Sequence, residues 1–283
     1  MYILRTDRRQ AQLNARYHVS YGVRNRFPAA NVRRLQEWVS TDTIFFDVPA
    51  HDHGIPGHGG CTMVQLYGGL DSEFLAAFPM AQEADMSLTF EDFIRKNGAP
   101  IGLMSDNAKS ELSTKVQNLL RLYMVQDRQS EAHYEHQNPI ERRVQDVKRM
   151  TSTTMDRTGC PAKFWLLCLL YVVALLNVLV NSKGAIPLAA VTGQVVDVSP
   201  FLSYHFWQEV FYEEPGKKPE KLGRWCGVSD GKGNALTYWV LSSDSEKLVA
   251  RSNIRPARDP LFPNRCAHPD DQGVIQACIV CLV

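Results

Sequence analysis

The five residues Pro100 to Met104 (PIGLM) constrain the fold of this chain more than any other stretch. They form a short apolar run of the kind that is covered on both faces of a sheet, and a helix-patterned segment stands directly before them. A strand reached through a helix lies parallel to an earlier strand. Three candidates precede it: Thr43 to Val48 (TIFFDV), Cys61 to Tyr67 (CTMVQLY) and Phe74 to Met80 (FLAAFPM), separated by Gly and Pro clusters and so read as successive antiparallel strands. In the intervening helix Ser87 is placed as the cap, Phe90, Phe93 and Ile94 share a face, and Asn97-Gly98 ends it.

Beyond this strand, Leu112, Val116, Leu119, Leu120 and Tyr123 recur at helical spacing, which predicts a helix over Glu111 to Met124, and Val125 to Arg128 reads as a fifth strand. A polar loop then leads to His136-Gln137-Asn138-Pro139-Ile140-Glu141-Arg142-Arg143. Asn138 as cap, Pro139 at the first helical position and Glu141 three residues after the cap open a long helix with an apolar stripe of Ile140, Val144, Val147 and Met150. Three antiparallel strands, a helix, a strand, a helix, a strand and a helix is the order of the ribonuclease H-like α/β fold, a mixed sheet with flanking helices. The texture changes after Pro200: aromatic segments Ser203 to Tyr212, Gly223 to Val228, Ala235 to Leu241 and Lys247 to Ser252 alternate with turns. They predict a small all-β, SH3-like barrel, with a β-sandwich fragment as the alternative. The organisation expected is thus a basic arm over residues 1–40, a ribonuclease H-like fold over 41–198, a barrel over 201–258 and a disordered tail over 259–283.

Phe164 to Val180 is apolar for about 17 residues apart from Asn177, at the bottom of the membrane-spanning range and without a basic flank. It reads as a helix buried on all sides, so no membrane is expected. No secretory signal precedes the seven cysteines, which places the chain in a reduced, intracellular setting. Cys266, His268, Cys278 and Cys281 are zinc-capable by type but too tightly spaced at Cys266-Ala-His268. His51-Asp52-His53-Gly54 and His58-Gly59-Gly60 suggest a second, transition-metal hypothesis, against which the Gly and Pro content favours a plain hairpin loop. The net charge of +1 hides a basic arm: eight arginines from Arg5 to Arg34 face Asp7 and Glu37 before Trp38, so a polyanion fits as partner, as does a solvated or packed surface segment.

Three acids stand out. Asp47 falls inside the first expected strand, where a lone carboxylate must be paired, solvated at a cleft or bound to a metal. Asp106 follows the parallel strand, where open α/β sheets place their ligands. Glu141 begins the long helix. Singly, each has a structural reading: a strand-end acid paired with an arginine, a turn former in Ser105-Asp106-Asn107, a capping-box acid. Jointly, three carboxylates at one cleft would repel unless divalent cations sat between them, and oxygen-only ligation suits Mg²⁺ or Mn²⁺.

These acids and the words around them resemble the catalytic core of retroelement integrases, in particular those of copia-type LTR retrotransposons. The resemblance rests on Thr41-Asp42-Thr43-Ile44-Phe45-Phe46-Asp47, Ser105-Asp106-Asn107-Ala108-Lys109 and Gln137-Asn138-Pro139-Ile140-Glu141-Arg142, with 35 positions from Asp106 to Glu141, then Phe164-Trp165, Pro187-Leu188 and Thr192-Gly193. It implies an Asp47, Asp106, Glu141 triad holding two Mg²⁺ or Mn²⁺ ions, trimming of an element end and its joining to target DNA. It implies also that Gln137, Asn138, Arg142, Gln145, Lys148, Lys217 and Lys218 lie along DNA, with Lys221 and Arg251 to Arg258 adding phosphate contacts. Double-stranded DNA, a homo-oligomer assembled on it, neighbouring polyprotein segments, and a nuclear or virus-like-particle location follow from the same likeness. The chain departs from the family pattern in Ala108-Lys109, where a Gly pair is commoner, and in having no His-His-Cys-Cys module before the core. A ribonuclease H-like nuclease or DNA transposase, and a DNA-binding remnant without catalysis, are the rival readings.

Overall fold

The computed structural model describes residues 28–105, 113–129, 140–214, 217–229 and 236–258. The chain divides into two units: described residues up to Ala50 with Gly60–Met150 and Val172–Val196 form one, and His51–Gly59, Thr151–Tyr171 and the described residues from Asp197 onward form the other.

The first unit is built on five strands, β1 (Trp38–Phe45), β2 (Met63–Gly69), β3 (Leu75–Met80), β4 (Gly102–Ser105) and β5 (Gln126–Gln129), in the order β3-β2-β1-β4-β5. The β1/β2 and β2/β3 pairs are antiparallel, while β4 runs parallel to β1 and β5 parallel to β4. That is the mixed ribonuclease H-like order that the sequence predicts, with PIGLM supplying the parallel crossover strand.

The first strand lies earlier than expected. It begins at Trp38, whose ring covers Gly102 on the paired strand so closely that a Cβ there would lie 2.3 Å from it, and it ends at Phe45. Asp47 is therefore outside the strand, not inside it. Hydrophobicity points to Phe45 and Phe46, but Phe45 is 60% exposed, whereas the polar Ser40 and Thr41 are fully buried at the sheet centre. Polar residues hold that position because they satisfy one another: Gln65 Nε2 donates to Thr41 Oγ1 at 2.6 Å and Thr43 Oγ1 donates to Gln65 Oε1 at 2.7 Å.

Helix α1 (Met86–Asn97) buries Phe90, Phe93 and Ile94 against Tyr67 and the sheet, as the periodicity predicts. Its cap position is Asp85, and Ser87 lies buried within the first turn; Gly98, at φ 106°, ends it. Helix α2 (Thr114–Leu122) opens on Ser113, whose side chain accepts from the Val116 amide, and buries Val116, Leu119 and Leu120. It is shorter than the expected Glu111 to Met124; Met124 has already turned to φ 52°.

Helix α3 (Ile140–Thr158) carries the expected stripe, with Ile140, Val144 and Val147 buried and Met150 partly so. Helix α4 (Trp165–Val178) is the apolar run, and no described helix is long and apolar enough to cross a membrane. Its one polar break explains itself: Asn177 Oδ1 accepts from the Leu75 amide at 2.8 Å and Nδ2 donates to the Leu75 carbonyl at 2.7 Å. A single amide side chain thus satisfies both backbone groups of one residue of the edge strand β3. Short helices α5 (Pro187–Thr192) and α6 (Ser199–Leu202) follow, and Leu188 and Val191 pack on the first unit's core.

The second unit contains an all-β sheet of β6 (Glu209–Glu214), β7 (Lys217–Val228), β8 (Tyr238–Ser242), β9 (Leu248–Arg251) and β10 (Ile254–Pro256), ordered β10-β6-β7-β8-β9 with every pair antiparallel. Bulges between Tyr212 and Glu214 and between Trp225 and Gly227 bend it. Val210, Tyr212, Trp225, Tyr238 and Val240 make its core, with Tyr171 and Tyr204 packed on them. Of the expected aromatic segment Ser203 to Tyr212 only the part from Glu209 is strand, and Tyr204 and Phe206 pack from the preceding loop.

Candidate active site

Side chains alternate along β1, so Val39, Thr41 and Thr43 face one side of the sheet and Ser40, Asp42 and Ile44 the other. Cross-strand partners share a face, and the register pairs Ser40 with Gly68, Asp42 with Leu66 and Ile44 with Val64. Gly68 shows what covers this face: a Cβ built on it would fall 2.2 Å from Ile140 Cδ1. Ile140 is the first residue of α3 and only 1% exposed, so the start of α3 is seated on the side of the sheet that carries Asp42. Glu141, the next residue, lies partly buried in that first turn, where the helix dipole favours a carboxylate.

A second contact fixes the same turn. Arg143 forms an ion pair with Glu73 in the β2–β3 connection, and Lys183 Nζ approaches the other oxygen of that carboxylate at 3.6 Å. Glu73 itself adopts φ 59°, a left-handed conformation that a non-glycine residue rarely takes. The first turn of α3 is thus held from below by Ile140 in the notch at Gly68 and from the side by Arg143.

Asp42 is partly exposed, and its Oδ1 accepts from the Thr43 amide at 2.7 Å. The parallel pairing of β1 and β4 matches Ser40 with Met104. Asp42 stands two residues past Ser40 in the chain, as Asp106 stands two past Met104. Asp47, two residues past the end of β1, is exposed. Asp42 sits in the polar half of the strand, which hydrophobicity alone passes over and alternation counted from Trp38 reaches.

Asp106, Gln137 and Asn138 lie outside the described residues, as does the tail containing Cys266, His268, Cys278 and Cys281, and the side chains of Lys217 and Lys218 in β7 do too. Arg142, Gln145 and Lys148 are exposed on α3. Gln145 and Lys148 follow Glu141 by four and seven residues and share its face. The cations expected to hold phosphates in the second unit are mostly compensated. Lys221 meets Glu214 at 3.1 Å and Asp244 at 3.7 Å, Arg255 Nε donates to Glu220 at 2.9 Å, Arg258 meets Glu209 at 3.7 Å, and Arg251 Nε donates to the Glu213 carbonyl. Phosphate contact there would have to compete with carboxylates.

The histidine segment is folded within the second unit. His53 is buried, His58 partly so, and burial holds both below the ordinary histidine range, His58 down to about 4; His51 adds to the effect at His53 and His53 to that at His58. His51 and Lys163 share the carboxylate of Glu246, at 3.1 and 2.7 Å. Cys61, Cys160, Cys168 and Cys226 are buried and form no disulfide, with burial raising each thiol, Cys160 to about 12. None has the character of a nucleophile. Among the described residues no group of three or more His, Cys, Asp or Glu side chains is gathered for a metal ion.

No protein-family model matches the chain, and no curated protein matches it. Similar solved structures include the simian T-cell lymphotropic virus intasome in complex with PP2A regulatory subunit B56 gamma, at 13% identity and TM-score 0.43, covering 81% of this chain and 85% of that one. The catalytic core domain of BIV integrase is similar at 14% identity and TM-score 0.43 over 56% of this chain and 95% of its own. The HTLV-2 integrase catalytic core domain in complex with magnesium is similar at 16% and 0.43 over 56% and 99%. At these identities and TM-scores the likeness says nothing of chemistry.

Proposed function

We propose that the chain is a divalent-metal-dependent DNA strand transferase of the retroelement integrase kind, with its carboxylates drawn from β1, the residue after β4 and the start of α3. The observation that supports the reading is the seating of Ile140, the neighbour of Glu141, at Gly68, which pairs with Ser40 on the sheet face that carries Asp42 two residues further along. In this reading Asp42, not Asp47, supplies the first acid, with Asp106 and Glu141 as the second and third. A mid-strand position on the face that α3 covers favours Asp42; exposure beyond the strand end disfavours Asp47.

The donor set fits Mg²⁺ or Mn²⁺, since Asp42 and Glu141 offer only oxygen. When bound, such ions polarise phosphoryl oxygens and ease deprotonation of a water or a 3′-hydroxyl. The chain's own part is positioning: β1 and α3 fix two carboxylates on rigid elements, and Arg142, Gln145 and Lys148 offer a polar, cationic track along exposed α3 for a DNA backbone. No covalent intermediate on the protein is required, in keeping with buried, high-pKa thiols. The copia-type lineage rests on the sequence words from Thr41 to Asp47 and around Asp106 and Glu141. Assembly as an oligomer on DNA and work in the nucleus or a virus-like particle belong to the same proposal.

The test is a Mg²⁺-dependent assay on the purified chain with a matching element end and a supercoiled target. Joined product supports the reading; nicks or hairpins without joining would move the chain to a nuclease or transposase; DNA binding that is identical with and without Mg²⁺ and yields no product would mark a non-catalytic remnant.

A further inference from the structure

Outside the carboxylate site, the described side chains with the clearest unassigned chemistry are two histidines in the loop after β1. Gly54, Gly57 and Gly60 take φ of 87°, 81° and 76°, and the His58 amide donates to the Ile55 carbonyl at 3.2 Å, so the chain doubles back within a few residues. This brings His58 Nδ1 to 3.2 Å from His53 Nε2, with ring centroids 5.1 Å apart and planes tilted by 53°. The loop is anchored: the His53 carbonyl accepts from the Leu248 amide at 2.8 Å, and Asp52 Oδ1 accepts from the Gly54 amide at 3.0 Å.

We propose that His53 Nε2 and His58 Nδ1 form a two-histidine site for a late first-row divalent ion, Zn²⁺ in the first instance, with water completing the coordination. Three features carry this. The other ring nitrogen of His53 lies 3.0 Å from the His51 carbonyl, to which it can only donate. That fixes the tautomer and leaves the Nε2 lone pair on the side of His58, the arrangement in which a ligating histidine is oriented by a backbone oxygen. Next, zinc–nitrogen bonds of about 2.0–2.1 Å place two ligating nitrogens 3.2 Å apart at an angle of about 100°, close to tetrahedral. Finally, His53 is 1% exposed, so its ring is already ordered and desolvated before an ion arrives.

The donor type selects the metal. Imidazole nitrogens suit Zn²⁺, Co²⁺, Ni²⁺ or Cu²⁺ and are poor partners for Mg²⁺, so this site and the carboxylate site would not compete for the same ion. Asp52, next to His53, and Glu246, shared by His51 and Lys163, add negative charge nearby, while Lys247, whose side chain packs at Gly54, opposes it. Zinc would replace the single proton that otherwise bridges the two rings, so a plain histidine–histidine hydrogen bond is the competing account.

The experiment uses the full chain carrying Glu141→Gln, which weakens the carboxylate site, stripped with EDTA, dialysed and titrated with Zn²⁺ by calorimetry. One Zn²⁺ per chain is expected, bound at least tenfold more weakly after His58→Gln. His58 is the variant of choice because it is less buried than His53 and the fold tolerates its loss more readily. In parallel, nitrogen-15 spectra of the histidine rings follow the unsubstituted site directly: His53 Nε2 and His58 Nδ1 should shift together on adding Zn²⁺, while His205 does not. Zn²⁺ affinity that is unchanged by His58→Gln, or ring resonances of His53 and His58 that stay put as Zn²⁺ saturates, overturns the proposal and leaves the hydrogen bond. Neither result touches the strand-transfer reading, which predicts a different metal at different residues.

Discussion

Substituting Gly68 tests whether the start of α3 is set by the sheet beneath it. The methyl of Gly68→Ala would meet Ile140 Cδ1 at 2.2 Å and Leu75 Cδ2 at 3.3 Å. Ordinary contact begins at 3.4 Å, so Ile140 must retreat by about 1.2 Å. Ile140 is buried to 1% and only its terminal Cδ1 clashes, Cγ1 lying at 3.7 Å, so the methyl is accommodated by a strained turn of the Ile140 side chain, by a shift of the first turn of α3, or by both. Overpacking of this kind costs about 1–3 kcal/mol. Ile140→Ala alone leaves a cavity at the same spot and costs about 2–4 kcal/mol. In the double variant the methyl added by Gly68→Ala occupies space that the Ile140 side chain has vacated, so the combined loss should fall short of the sum by about 1–2 kcal/mol. Urea unfolding of the four proteins measures this through shifts in midpoint at constant slope. Losses that add to within about 0.5 kcal/mol would refute the seating of Ile140 at Gly68. The catalytic consequence is separable: a displacement of about 1 Å at Glu141 should lower joining roughly 100-fold.

Other expectations follow from single contacts. Asn177→Leu keeps the volume but strips the Leu75 amide and carbonyl of their partners, and should cost about 2–4 kcal/mol in the same urea assay. Glu141→Gln should cost no more than about 0.5 kcal/mol in EDTA yet remove the stabilisation that Mg²⁺ gives and abolish joining; differential scanning fluorimetry with and without Mg²⁺ reads the first two. In metal-free protein His58 supplies a pH dependence. Its folded-state value lies near 4, below the unfolded 6.5, so its contribution is present above pH 6.5 and is lost as pH falls from 6.5 toward 4. At about 1.4 kcal/mol per pH unit, up to about 2 kcal/mol disappears between pH 7.5 and 5. His58→Gln should flatten that slope relative to wild type, as unfolding midpoints at several pH values would show.

The fold is legible in the sequence because its signals are local and redundant. PIGLM after a helix dictates a parallel strand, Phe90, Phe93 and Ile94 dictate a buried helix face, and aromatic alternation after Pro200 dictates an all-β unit. The candidate site is legible in part. Glu141 is where the helix-start pattern puts it, but hydropathy draws the first strand toward Phe45 and Phe46, away from the true sheet centre. At that centre Thr41 and Gln65 are buried because they hydrogen-bond across the sheet, which is invisible to hydropathy. The same pull draws the expected first acid to Asp47, five residues past the mid-strand Asp42 that we propose in its place. The loop glycines announce a turn, yet which histidines they bring together depends on left-handed backbone at Gly54 and Gly57, and the neighbouring pair is His53 and His58, not His51 and His53. Nor does net charge foretell that Lys221, Arg255 and Arg258 each find a carboxylate.

The central claim is that catalysis belongs to carboxylates gathered at the middle of β1 and the start of α3. It is tested most directly by comparing Asp42→Asn with Asp47→Asn in the Mg²⁺-dependent joining assay, with DNA binding measured on the same preparations. Asp42→Asn should lose nearly all joined product while retaining DNA binding, and Asp47→Asn should stay within a few-fold of wild type. Full activity in Asp42→Asn together with a dead Asp47→Asn would contradict the account.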